Sequence, residues 1–142
     1  MAQIFLKNNK GFRWYSNDNI FIKGCFFDSK NNYYEKEKLI SFFTKITNEE
    51  PFIKRIKEIN GIFTVIIKLD NKTLIASDTT RIFPLFYTFK NTKLNISDDI
   101  KYLREKFNSN EIDENSSNEF LASGYTLGNK TLLKNIFCLQ SN

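Results

Sequence analysis

Apolar positions along the chain fall into short runs, a helical stripe and one long uninterrupted stretch. Residues 2–7 (AQIFLK) and 11–16 (GFRWYS) read as strands, separated by the turn-forming Asn8-Asn9-Lys10-Gly11. Asn17-Asp18-Asn19 punctuates, and 20–27 (IFIKGCFF) reads as a third strand whose internal Gly24 predicts a bulge. After a loop at 28–32 the period changes. Leu39, Ile40, Phe42, Phe43 and Ile46 share one face against Glu35, Lys36, Glu37 and Lys45, which predicts a helix over 33–46. A second helix, 50–59, takes Pro51 in its first turn and sets Ile53, Ile56 and Ile59 on one side.

The stretch 61–69 (GIFTVIIKL) is too apolar to leave a face in water. Asp70-Asn71-Lys72 turns it into a return strand at 73–77, and a polar break at 78–81 precedes strands at 84–89 and 93–97. Four strands joined by short turns predict an antiparallel sheet. Asp98 and Asp99 open a helix over 98–107, their charge matched to its positive end, with Ile100, Leu103 and Phe107 inward. A polar linker at 108–115 leads to a helix over 116–123, which Gly124 stops, and 130–140 ends in strand-like residues. Strands, two helices, more strands, then helices argue for an α+β class rather than alternating βαβ units.

Composition narrows the chemistry. The 142 residues suit a single domain spanning 1–142, and 15 Phe and 6 Tyr indicate a core built on aromatic rings. Disorder, collagen and coiled coil do not fit this composition. The chain has no His, which removes Ser-His-Asp and Cys-His catalysis and imidazole metal ligation. The formal charge of +5 is spread out: Lys36, Lys38, Lys54, Arg55, Lys57, Lys101, Arg104 and Lys106 alternate with acidic or apolar positions, as on solvated helix faces. That dispersion argues against a nucleic-acid partner. Cys25 and Cys138 sit inside apolar runs and are expected to be buried free thiols, and two cysteines without His make no zinc site. With no signal-peptide core and no apolar run near the ~20 residues that span a bilayer, a soluble cytoplasmic protein without membrane contact is expected.

Four stretches, in order, carry a resemblance. Asn60-Gly61-Ile62-Phe63-Thr64-Val65 is followed by Asp78, by Pro84-Leu85-Phe86-Tyr87, and by Leu94-Asn95-Ile96-Ser97-Asp98-Asp99-Ile100-Lys101-Tyr102-Leu103. The tail then gives Glu119-Phe120-Leu121-Ala122-Ser123-Gly124-Tyr125 and Thr131-Leu132-Leu133-Lys134-Asn135-Ile136. Over roughly residues 55 to 139 this resembles the amino-terminal glutaminase domain of asparagine synthetases, written LNGxFAFVxYD, RDRxGxKPLYY, LxFASEIKAL and EYLxxGYxxGxxTLFxGIxxL. The resemblance implies a class II glutamine amidotransferase fold of the N-terminal-nucleophile (Ntn) type, an αββα sandwich of two mostly antiparallel sheets, here reduced. In active members a Cys exposed by Met removal attacks glutamine with its own α-amine as base. Ammonia then passes to an ATP-pyrophosphatase domain.

That chemistry needs a nucleophile and a free amine on one residue. Residue 2 is Ala, Cys25 lies within a strand, and the family's glutamine-holding Arg loop and NGEIYN stretch have no match between residues 8 and 50. The motif's Arg is Ser77, its Gly is Arg81 and its Lys is Phe83. The resemblance therefore implies a domain with no catalytic residue, a pseudoenzyme. Asn60, Gly61, Phe63, Asp78, Pro84, Leu85, Tyr87, Asp99, Gly124 and Tyr125 are kept for structure. No cofactor is expected in it. ATP and Mg²⁺ belong to a partner ATP-pyrophosphatase domain in cis or in trans, since the glycines of Gly124-Tyr125-Thr126-Leu127-Gly128 do not fit a phosphate loop. Homodimers are open, because family members often pair. The chain is expected to be a piece of a longer protein or a standalone remnant. Two alternatives stand beside this: an active amidotransferase supplying ammonia, with Cys25 as nucleophile, and a peptide- or polyanion-binding module presenting Trp14, Tyr33 and Tyr34. The plainer reading of those aromatics is that Trp14 caps the core and the tyrosines start a helix.

Overall fold

The longest strands are the two that the sequence makes most apolar. In a computed structural model, which describes residues 2–7 and 11–141, β3 (Ile20–Asp28) and β5 (Ile59–Lys68) pair antiparallel along their length, from Ile20 opposite Ile67 to Asp28 opposite Ile59. Two sheets and four helices are present among the described residues, a mixed α+β arrangement. The chain divides into two compact units: one is built on 11–83, and the other joins Ala2–Lys7 to Pro84–Gln140.

In the first unit, β5 also pairs with β6 (Thr73–Ser77), while β2 (Tyr15–Ser16) and β4 (Tyr33–Glu35) occupy successive parts of the other edge of β3. Alternation sends Ile20, Ile22 and Phe26 of β3, Phe63, Val65 and Ile67 of β5, and Leu74 and Ala76 of β6 into one core. Helix α1 (Lys38–Phe43) adds Leu39, Phe42 and Phe43, and α2 (Glu49–Lys57) adds Phe52. Phe26 is the hub, with ring centroids of Tyr34, Phe42, Phe43 and Phe63 at 5.3, 5.1, 6.1 and 5.9 Å. The Phe-rich composition becomes an aromatic cluster in which Tyr34 stacks on Phe26 and the three phenylalanines meet it edge to face.

Gly24 and Gly61 let the two long strands close. Gly61 stands opposite Phe26, and a Cβ there would lie 2.4 Å from the Cys25 carbonyl oxygen. Gly24 stands opposite Phe63 at φ 116°, and its Cβ would lie 2.0 Å from the Ile62 oxygen. The expected bulge at Gly24 does not form: the register runs unbroken through it, and the glycine provides close approach instead.

The helix predicted over 33–46 is shorter, and its first turn is the strand β4. Asp28 makes the difference. Its Oδ1 accepts from the backbone N–H of Lys30 and Asn32 at 2.9 Å each, and its Oδ2 from the Tyr34 hydroxyl at 3.3 Å. These bonds hold a tight turn that folds Tyr33–Glu35 back onto β3, and Lys36 at φ 54° then breaks the direction before α1 begins. The second helix begins one residue earlier than predicted, capped by Asn48, whose side chain accepts from Glu50 N at 3.1 Å. Of the predicted strand 11–16, only Tyr15–Ser16 pairs.

In the second unit, β7 (Phe86–Lys90) and β8 (Lys93–Ser97) form a hairpin through Asn91 and Thr92, both left-handed. Strand β1 (Gln3–Phe5) pairs parallel with β8, and β9 (Phe137–Cys138) pairs with β7. The four strands between 61 and 97 thus belong to two sheets, not one. Helix α3 (Ile100–Phe107) starts on Asp99, whose Oδ1 accepts from Lys101 N at 2.9 Å and Tyr102 N at 3.3 Å. Helix α4 (Glu114–Ser123) starts two residues before its predicted bound on Asp113, and Gly124 ends it at φ 81°. The tail 130–140 is mostly turns and isolated bridges around the two residues of β9.

Candidate functional site

Of the motif-bearing residues of the first unit, Phe63 and Asp78 are bonded to each other. The Asp78 N–H donates to the Phe63 carbonyl at 2.9 Å, and Asp78 Oδ2 accepts from the Phe63 N–H at 3.1 Å. Asp78 Oδ1 accepts from Thr80 N at 2.8 Å and also from the Thr80 hydroxyl. Asp78 is buried, and both of its oxygens are taken up in holding the turn that follows β6. A carboxylate so engaged is a structural clamp rather than a free general base. The turn closes through Arg81 N–H to the Asp78 carbonyl at 3.2 Å, with Arg81 left-handed at φ 51°. Asn60 and Gly61 lie on β5 opposite Phe27 and Phe26.

The motif residues of the second unit are spread among separate structural tasks. Pro84 precedes β7, and the buried Leu85 accepts from Leu139 N at 2.8 Å through its carbonyl. The Tyr87 hydroxyl accepts from Asn129 Nδ2 at 2.8 Å. Asp99 and Gly124 are the caps of α3 and α4, and Tyr125 is exposed.

Side chains the sequence reading did not single out lie on the other face of the first unit's sheet. Lys23, Thr64 and Ser77 are directly opposed across β3, β5 and β6, and all three are buried, Lys23 to 2% exposure. The Lys23 ammonium lies 5.7 Å from the Trp14 ring centroid and 5.2 Å from that of Phe83. Thr64 Oγ1 donates to the Phe83 carbonyl at 2.7 Å, while Ser77 Oγ has no hydrogen-bond partner among the described residues. Of these three groups, only the Ser77 hydroxyl is left without a hydrogen bond among the described residues, which suits an ordered water there. The available signal was Lys23 itself, a charge in an otherwise apolar strand.

Both cysteines are half-buried rather than buried. Cys25 pairs with Glu35 on one side and Ile62 on the other. The Tyr33 hydroxyl is pushed up to about 12, first by its hydrogen bond with Cys25, then by desolvation and the Cys25 and Glu35 charges. Tyr33 is exposed, Tyr34 and Trp14 are half-buried, and the two tyrosines belong to β4 rather than to a helix start. A cleft of about 440 Å³ lies nearby, lined by Phe12, Arg13, Tyr15, Gly24, Glu35 and Lys36 together with Gly11.

Ala2, which takes the place of the nucleophile in the motif the sequence resembles, is a buried methyl at the head of β1. Among the described residues no cluster of three or more metal-ligating side chains forms, and no helix is long and apolar enough to cross a membrane. Compared with protein-family models, curated proteins and solved structures, the chain finds no match.

Proposed function

We propose that this chain is a non-catalytic, glutaminase-like domain of asparagine-synthetase type that docks onto an ATP-dependent, amide-forming domain in cis or in trans. The observation that carries the reading is Arg81. It stands where the resembled motif has Gly, and its backbone adopts the left-handed φ of 51° that glycine favours. A left-handed backbone at the position of the motif's glycine supports the reading. Asp78, three residues earlier, closes that same turn. In this reading the two sheets and four helices are the parts of a reduced Ntn-type sandwich.

The missing chemistry follows from residue 2. An N-terminal nucleophile must carry a thiol or hydroxyl next to its own amine, and alanine carries a methyl. ATP and Mg²⁺ then act only in the partner domain, and the reading carries a cytoplasmic location with it. The test has two arms. The purified chain incubated with glutamine is expected to release no glutamate above a heat-treated sample, and Ala2→Cys is expected to stay silent. On gel filtration the chain is expected to co-elute with a recombinant asparagine-synthetase ATP-pyrophosphatase domain. Glutamate release by the wild-type chain, or separate elution of the two domains, overturns the proposal.

A further inference from the structure

We propose that the cleft where the edge strands β2 and β4 stop short of each other receives the carboxyl-terminal end of a peptide whose last side chain is apolar. Along that edge of β3, β2 pairs with Phe21 and Ile22, and β4 pairs with Cys25, Phe26 and Phe27. Among the described residues, Lys23 and Gly24 therefore have no strand beside them on that edge. The cleft of about 440 Å³ opens there, with Tyr15 of β2 and Glu35 of β4 among its walls. Gly24 has no side chain and lines it with main chain alone. A strand edge without a neighbour presents N–H and C=O groups to whatever enters. The volume lies in the range of small-ligand sites.

The gap selects the end of a chain. Strand β2 closes one side of it and β4 the other, so no extended segment can run on along β3 through it, whereas a terminal residue can enter from solvent. Charge selects which end. Arg13 lines the cleft and has no ion pair among the described residues. The cleft's carboxylate, Glu35, already has the Lys36 ammonium of the same wall 3.9 Å away. Arg13, Lys36 and Glu35 together leave one positive charge, which one carboxylate balances and an amino terminus would double. A guanidinium takes a carboxylate in a two-pronged, charge-assisted pair. The last amide of the peptide then meets the open main chain at Gly24, and capture of a terminal carboxylate is a recurring mode of peptide recognition. Phe12, 39% exposed and set edge-on to the Phe83 ring at 5.4 Å, offers with Tyr15 an apolar wall for the last side chain. This inference does not depend on the function proposed above.

Titration of the isotope-labelled chain with acetyl-Ala-Ala-Phe, read by amide chemical shifts, is the test. The expected result is saturable shifts at Arg13, Tyr15 and Gly24. Replacing the peptide's carboxylate by a carboxamide, and Arg13→Gln against the acid peptide, are each expected to weaken binding at least ~10-fold. Arg13 is exposed, so its substitution is expected to leave the urea midpoint unchanged. The absence of saturable shifts at these residues overturns the proposal, as does equal binding of acid and amide or binding that survives Arg13→Gln. Inorganic phosphate producing the same shifts at equal concentration would mark a general anion site and overturns it too. Tighter binding of Ala-Ala-Phe-amide, with its free amino end, does the same.

Discussion

Asp78 and Phe63 grip each other twice, the Asp78 N–H on the Phe63 carbonyl and the Asp78 carboxylate on the Phe63 N–H. The pair couples the middle of β5 to the turn after β6, fifteen residues on in sequence. The carboxylate accepts from the buried Phe63 N–H and from the exposed Thr80, so its loss strands the Phe63 donor away from water.

Asp78→Ala is expected to destabilise the chain by about 3 kcal/mol, since hydrogen bonds to a charged group contribute about 1.5–3 and the stranded donor adds its own cost. Asp78→Asn keeps one acceptor oxygen and is expected to cost about half as much. Urea unfolding checks both, and an unchanged midpoint for Asp78→Ala would show that the clamp carries no stability.

Arg81 tests the backbone directly. A non-glycine residue in the left-handed region costs about 1–2 kcal/mol, and glycine returns part of that gain through a more flexible unfolded chain. Arg81→Gly is therefore expected to stabilise by about 0.5 kcal/mol, whereas Arg81→Ala gains nothing because its Cβ meets the same restriction. Thermal midpoints of the two variants separate backbone strain from loss of the guanidinium.

Tyr33 gives a pH dependence with a definite sign. Its hydroxyl is raised above the ordinary phenol value to about 12, chiefly by its hydrogen bond with Cys25. The folded chain holds that proton more tightly than the unfolded chain. The contribution is therefore complete below pH ~10 and is lost as pH rises from there through about 12. Difference titration of phenolate absorbance, wild type against Tyr33→Phe, should show this residue ionising near 12. Cys25→Ala should move that step toward ~10; a step that stays put would show that the thiol is not its cause.

Local signals were legible where one residue decides one feature. The apolar stripe of Leu39, Phe42 and Phe43 gave α1, the Asp98-Asp99 pair marked the start of α3, and Gly124 marked the end of α4. Tyr33–Glu35 read as helix because their spacing extends the stripe of Leu39 and Ile40. Asp28 overrode it by folding that segment against β3, a choice made by hydrogen bonds to residues two to six positions on. The same limit applies at Gly24, where a lone glycine in a strand fits a bulge or a close approach equally well. Only the carbonyl of Ile62 across the ladder decides for the second.

The sequence by itself determined the α+β class, the aromatic character of the core and the identity of residue 2, because composition and local periodicity need no knowledge of distant neighbours. Tertiary structure alone decided that the four central strands divide between two sheets, that Lys23, Thr64 and Ser77 form one buried row, and that both oxygens of Asp78 are occupied. Strand pairing joins residues far apart in the chain, and a side chain's role depends on which atoms that pairing brings within about 3 Å of it.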